Sequence, residues 1–355
     1  MSIVFSPLQL AKHTLKNRLV VSPMCQYSAE EGFANNWHLV HLGQFAIGQA
    51  GAIIQEATAV VPQGRISYAD LGIWKDEHIP ALKEIVDFVH QQGALIGIQL
   101  AHAGRKASTD KPWCSRAQFA PNHPNGWQTV APSPIPFNST DVPPVELSIK
   151  EIQQLVVAFR DAAQRSVEAG YDIIEIHAAH GYLIHQFLSP LSNQRTDSYG
   201  GSFENRARFL IEIIEAVNSV LTTQSLWLRI SATDWAEGGW DIEETVRLGH
   251  LVKNFGVEVM DVSSGGCVRH QQIPVMENYQ VPFAERIKNE TGIITGAVGL
   301  IKKSSQAELI LNDKRADLIF IARGFLKNPH LAKQFAKDLA VDIKWPLQYD
   351  RAKEY

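Results

Sequence analysis

The sequence predicts an α/β fold, a closed (β/α)8 TIM barrel with a long lid-like insertion after its third strand. Three observations carry this. Eight short apolar runs recur along the 355 residues. Each run is too continuous for a strand with one wet face, as expected of strands buried on both sides. Helical spacing fills most of the intervals, and strands alternating with helices make a parallel sheet wrapped in helices. The whole chain, 1–355, reads as one domain.

The elements follow in order. The first run is Leu19–Pro23 and the second Gly51–Ala57. A helix over Asp76–Gln92 is predicted by Ile79, Leu82, Ile85, Val86 and Val89 on one face and a stop at Gly93. The third run is Leu95–His102. After it, residues 103–147 are rich in Pro, Asn, Trp and Ser, and a loop of that length leaving a strand end reads as a lid. Ser148 and Glu151 form a capping-box pattern that starts a helix running to Gly170. The fourth run, Tyr171–Ala178, precedes a helix at Ser202–Val220. The fifth, Leu226–Ala232, precedes one at Ile242–Phe255. Val257–Ser264, Gly292–Val298 and Ala316–Arg323 complete the set. A doubly wound open sheet would carry Gly-x-Gly-x-x-Gly after the first strand, where Ser22-Pro23-Met24-Cys25 stands instead.

Composition narrows the function classes. Apolar residues make up 45%, and 33 basic against 37 acidic residues give a formal charge of −4. That offers no electrostatic case for nucleic acid or an anionic membrane. No stretch approaches the length of a membrane span, and residues 1–19 lack a signal-peptide pattern. Cys25, Cys114 and Cys267 are odd in number and far apart, so neither a disulfide framework nor a zinc ribbon is expected. A soluble, cytoplasmic protein is expected.

In such a barrel the chemistry sits at the carboxyl ends of the strands. The run ends offer Met24, Cys25, Gln26 and Tyr27; Glu56 and Ala57; Gln99 and His102; His177, His180 and Tyr182; Arg229; Ser263 and Ser264; Gly299; and Arg323. His177-Ala-Ala-His180-Gly-Tyr182 can aim two imidazoles at a substrate oxygen, with a phenol near by to give a proton. A zinc pair is the alternative, making a metal-dependent hydrolase or lyase, but it needs further ligands. A pair of structural histidines is a third reading. Arg229, inside an apolar strand, requires an anionic or carbonyl partner: Glu175 in an internal salt bridge, or a cofactor that becomes negative. Gln99 lies in phase with Gly97 and Ala101 and could donate to and accept from a heterocycle, or be a satisfied core amide. The glycine turns at Gly299 and Arg323-Gly324, after strands seven and eight, suit a phosphate. Cys25 is a buried hydrophobe, a thiol nucleophile or a weak donor beside a cofactor.

Four segments, Ser22–Tyr27, Gln99–Lys106, His177–Leu183 and Ser189–Gly201, give the chain a resemblance to the Old Yellow Enzyme family of ene-reductases over essentially its whole length. Cys25 and Tyr27 resemble its YqjM-like, xenobiotic-reductase branch. The resemblance implies bound FMN, with NADPH, or NADH, as hydride donor. It implies FMN contacts from Ser22, Pro23, Met24, Cys25, Ala57, Gln99, Arg229, Gly299, Ala322 and Arg323. His177 and His180 would hold the substrate oxygen, Tyr182 would protonate the α-carbon, Cys25 would tune the flavin, and Tyr27 would add a substrate contact. No metal is implied. The tail, 340–355, resembles relatives in which a terminal arginine, here Arg351, reaches a neighbouring subunit, implying a homodimer or homotetramer. A 2,4-dienoyl-CoA reductase-type enzyme would need an iron–sulfur cluster, which three scattered cysteines do not suit.

Overall fold

A computed structural model describes residues 2–353. Eight parallel strands close into one barrel: β1 (Leu19–Val21), β2 (Ala52–Ala59), β3 (Leu95–Ala101), β4 (Ile173–Ala178), β5 (Ser225–Ser231), β6 (Val259–Ser263), β7 (Ile294–Ala297) and β8 (Leu318–Ile321). Each strand pairs with the next in sequence, and β8 closes on β1 through Ile319↔Leu19. Every strand falls on one of the eight apolar runs.

The helices outside obey their local signals. The helix α1 (Asn36–Ile47) packs beside α2 (Ile79–Gln91). In α3 (Ile149–Ala169) the Ser148–Glu151 capping box is formed, and Gly170 ends the helix at φ +93°. Its buried Ile152, Leu155, Phe159, Ala162, Ala163 and Ser166 repeat every three or four residues, the period that keeps one face on the sheet. A short α4 (Leu183–Leu188) follows β4, and α5 (Phe203–Asn218) and α6 (Ile242–Asn254) follow in turn. The later helices are α7 (Val281–Thr291), α8 (Ser304–Asn312), α9 (Arg323–Lys327) and α10 (Leu331–Asp338). No helix among the described residues is long and apolar enough to cross a membrane.

The barrel interior is packed, not hollow. Val20, Ala52, Ile54, Ile173, Trp227, Val259, Leu318 and Phe320 fill its lower part. A small antiparallel hairpin, Leu8–Gln9 with Thr14–Leu15, adds Leu10 and Leu15 to that cluster. The hairpin also meets Thr223 and Glu258, just ahead of β5 and β6. It therefore stops the amino-terminal end, and the carboxyl end is left as the open mouth.

The long segment 103–147 is bound down along its length. Trp127 Nε1 donates to the Gln63 carbonyl at 2.9 Å, and Arg105 to the Cys267 carbonyl at 2.7 Å. Arg195 donates to the carbonyls of Pro132 and Leu147 at 3.1 and 2.6 Å. Trp113 stands edge-on to Tyr27, with ring centroids 6.0 Å apart. The segment thus bridges the loops that follow β1, β2 and β4.

Candidate active site

Three neighbouring strands each carry an inward-facing series two residues apart. On β4 it is Ile173, Glu175, His177; on β5, Trp227, Arg229, Ser231; on β6, Val259, Asp261, Ser263. In the ladders His177 pairs with Arg229 and Arg229 with Asp261, while Glu175 pairs with Trp227. Barrel strands are tilted, and the side chains gather in tiers one step off this register on β4, Glu175 with Arg229 and Asp261. The lowest tier is apolar, the middle one charged and the upper one opens on the mouth.

The middle tier corrects one expectation. Arg229 does not pair with Glu175; its Nε lies 3.1 Å from Asp261 Oδ2. Glu175 instead accepts from Gln99 Nε2 at 2.8 Å, so one amide proton of Gln99 is already engaged. All four groups are buried, and burial with the neighbouring Asp261 pushes Glu175 up to about 8. Ala57 sits beside Gln99 in the β2–β3 ladder.

Above this tier stand the two imidazoles and the phenol. The ring centroids of His177 and His180 are 5.3 Å apart, and those of His177 and Tyr182 are 5.0 Å apart. His177 Nδ1 accepts the Ala179 N–H at 3.3 Å, so the ring proton belongs on Nε2. His180 Nε2 meets Ser263 Oγ at 2.7 Å. Gln280 Oε1 is 3.4 Å from that hydroxyl and already takes the Ser264 proton at 2.6 Å. His180 Nε2 is thus engaged by Ser263, whose hydroxyl also donates to Gln280, and Nδ1 is left without a partner among the described residues. Burial, then the charge of Arg229, hold both imidazoles well below the usual histidine range, so both are neutral at pH 7. Burial raises the Tyr182 phenol, which stays protonated.

The turn that presents them is strained. His180 has φ +59° and Gly181 φ +72°. Lys106 Nζ ties it down, donating to the carbonyls of His180 (2.7 Å) and Gly266 (3.1 Å). A Cβ on Gly181 would come within 2.1 Å of the Gly266 oxygen, so glycine is required there. The same Lys106 ammonium lies 5.1 Å from the Tyr182 ring. Neither Lys106 nor Asp261 stands out in the sequence: Lys106 ends the Gln99–Lys106 segment without a role of its own, and Asp261 sits inside the apolar run Val257–Ser264, where a carboxylate raises the same question as Arg229 does.

The loop after β1 completes the near wall with Ser22, Pro23, Met24, Cys25 and Tyr27. Burial, with Asp70 and Glu56 near by, pushes the Cys25 thiol up; it is not a thiolate, and the nucleophile reading loses its basis. Burial likewise keeps Tyr27 protonated.

The far wall is a cavity of about 780 Å³ at the ends of β7 and β8, lined by Gly299, Ala322, Arg323, Lys302 and Lys327 among others. Gly299 has φ +123°, and a Cβ there would press on Gln280 at 3.2 Å. Arg323 is exposed and forms no ion pair among the described residues. The fit to a flavin mononucleotide is chemical. Three cationic side chains surround a space for a phosphate, Ser22 Oγ is a buried hydroxyl without a partner, and Arg229 faces the mouth below the histidines.

A zinc site at His177 and His180 finds no support. Among the described residues the only cluster with three candidate ligands is His185, Asp234 and Cys267. There His185 Nδ1 accepts the Gly181 N–H at 2.8 Å and Nε2 faces Asp234 Oδ1 at 2.8 Å, so both ring nitrogens are committed. Arg351 stands on an exposed turn, Leu347–Ala352, and makes no ion pair within its own chain among the described residues.

Residues 3–342 match the NADH:flavin oxidoreductase / NADH oxidase family. An NADPH dehydrogenase of Listeria innocua is 50% identical over 354 residues, 99% of each chain. One of Geobacillus thermodenitrificans is 49% identical over 352 residues, 99% of this chain and 98% of that one. The solved structure of morphinone reductase in complex with tetrahydroNAD superposes with a TM-score of 0.79 at 28% identity, covering 97% of this chain and 92% of that one. A complex of 2-naphthoyl-CoA reductase, at 24% identity, shares the fold with a TM-score of 0.85; it covers 95% of this chain, which spans 52% of that one.

Proposed function

This chain belongs to the NADH:flavin oxidoreductase / NADH oxidase family, the Old Yellow Enzymes, and on that premise we propose that it is an FMN-dependent NADPH dehydrogenase that reduces activated C=C bonds of α,β-unsaturated carbonyl or nitro compounds. One observation supports the reading above the rest. His177 Nε2–H and His180 Nδ1 are each left without a partner by the contacts to Ala179 and Ser263, on the side of the mouth that holds Tyr182.

Bound FMN supplies the chemistry of hydride transfer, from the nicotinamide to the β-carbon of the acceptor. The protein's residues do the rest. Ser22, Pro23, Met24, Cys25, Ala57 and Gln99 bound the ring, Arg229 faces its pyrimidine side, and Gly299, Ala322 and Arg323 take the phosphate. The two imidazoles hold the acceptor's oxygen. Because both are neutral donors in a preorganised site, they favour the oxyanion that grows there over the ground state. Tyr182 gives its proton to the α-carbon. Cys25, protonated, acts as a weak S–H donor beside the ring, and Tyr27 lines the acceptor's side. We read residues 2–353 as one domain, with 103–147 as a lid over the mouth. A homo-oligomer in which Arg351 enters a neighbour's mouth, and a cytoplasmic setting, belong to the same proposal.

The test is direct. Purified protein should carry flavin absorption near about 450 nm, bleach anaerobically with NADPH and recolour with 2-cyclohexenone. Colourless protein with bound zinc rejects the reading, and bleaching without recolouring rejects the acceptor class.

A further inference from the structure

We propose that Glu175 and Asp261 form a proton-sharing carboxyl pair beneath the flavin site, which takes up one proton from solvent when the flavin is reduced. The inference rests on the FMN reading above and adds two residues to which that reading gives no part.

The geometry sets the problem. Asp261 on β6 is the register partner of Arg229 on β5. Glu175 on β4 lies two residues below His177, the other register partner, within reach of the charges of both Arg229 and Asp261, and neither carboxyl has any exposed surface. Two carboxylates therefore share one guanidinium. Gln99 Nε2 satisfies Glu175 Oε1, but Glu175 Oε2 and both oxygens of Asp261 meet no hydrogen-bond donor, and the Arg229 Nε–H is not aligned on the carboxylate it approaches. Among the described residues the surrounding elements bring no second cation. Gln99 on β3 is neutral, as is His177 on β4, and Gly296 on β7 has no side chain. Below lie Ile173, Trp227 and Val259.

Two ionised carboxylates in that box would leave one buried without a counter-charge, so the pair holds a proton. Burial and the neighbouring carboxylate push Glu175 up to about 8, while burial raises Asp261 to about 6 against the pull of Arg229.

Reduction changes the charge count. A hydride from NADPH brings two electrons and one proton, so one negative charge is added on the side of Arg229 that faces the mouth. The guanidinium is then shared between that charge and Asp261, and the proton affinity of the pair rises. One water-derived proton binds a carboxylate oxygen; no other bond forms or breaks. The buried net charge of the tier plus cofactor is then the same before and after reduction.

The flavin midpoint potential of the holoenzyme, measured against a reference dye between about pH 6 and about pH 8, reads this out. Each proton bound per two electrons adds about 30 mV per pH unit. Wild type should show about 60 mV per pH unit, as should Glu175→Gln, where Asp261 still takes up the proton, and the double variant Glu175→Gln/Asp261→Asn about 30 mV. A wild-type slope of about 30 mV overturns the proposal, and so does a slope of about 60 mV kept by the double variant, which would put the proton on the flavin itself. Should the variants lose FMN, the wild type still decides. Its reduced-minus-oxidised infrared spectrum should gain a protonated-carboxyl C=O band, and a spectrum without one overturns the pair. Protein purified without flavin instead refutes the function, which keeps the two failures apart.

Discussion

The lower and middle tiers of the barrel lie two residues apart on the same three strands, yet one is made of Ile173, Trp227 and Val259 and the other of Glu175, Arg229 and Asp261. Both are buried. The backbone does not distinguish them, because each tier has the same parallel pairing. What differs is the kind of neighbour each side chain requires. The lower tier is satisfied by packing alone, and the hairpin leucines finish it from below. The middle tier has a charge excess that packing cannot remove, and it faces the one end of the barrel that is open. A stop at one end and an unsettled charge balance under the other are how this fold separates stability from chemistry.

The comparison can be broken most severely by moving charge down one tier. Val259→Asp buries a carboxylate with no cation beside it, and should cost about 4 kcal/mol or more. Urea denaturation checks this, and a loss below about 1 kcal/mol would mean the lower tier is wet. Removing the cation above comes next. Arg229→Met leaves two carboxyls without a counter-charge and should cost about 3 to 5 kcal/mol. Adding Asp261→Leu to it should restore part of the loss; a further loss of the same size would show that Asp261 is held by something other than Arg229.

A smaller effect confines itself to the mouth. Tyr182→Phe should slow the alkene half-reaction by about 10²-fold or more while leaving flavin reduction by NADPH unchanged. Equal slowing in stopped-flow traces of both half-reactions would remove Tyr182 as the acid. The smallest effect is on pH dependence. A carboxyl raised in the folded state binds its proton there and not in the unfolded chain. Its contribution to stability therefore falls as pH rises from about 4.5 towards about 8. Glu175→Gln should flatten that fall when unfolding free energies are compared at the two ends of the window. An unchanged profile would assign the titration to another group.

The sequence made the strands legible because burial on both faces leaves a continuous apolar run, and each of the eight runs holds a barrel strand. The helix α3 was legible from its cap and its Gly170 stop. The hairpin at residues 8–15 was not, since strands of two residues carry no periodicity. Within the mouth, His177, His180 and Tyr182 were readable from position past a strand. Their supports were not. Ser263 was visible at a strand end, but that it faces His180, and that Gln280 accepts from it, depends on loops that meet only in three dimensions. Asp261 was hidden by the apolar letters around it, and the resulting pairing of Arg229 went to β6 and not to β4.

The left-handed turn at His180–Gly181 rests directly on the Gly266 backbone, and one lysine from the loop after β3 grips both. Three loops that lie far apart in the chain therefore behave as one part. An engineer who transplants the segment after β4 into another barrel of this kind must carry Lys106 and the paired glycines 265–266 with it. Swapped singly, that segment would lose the anchor that aims its imidazole.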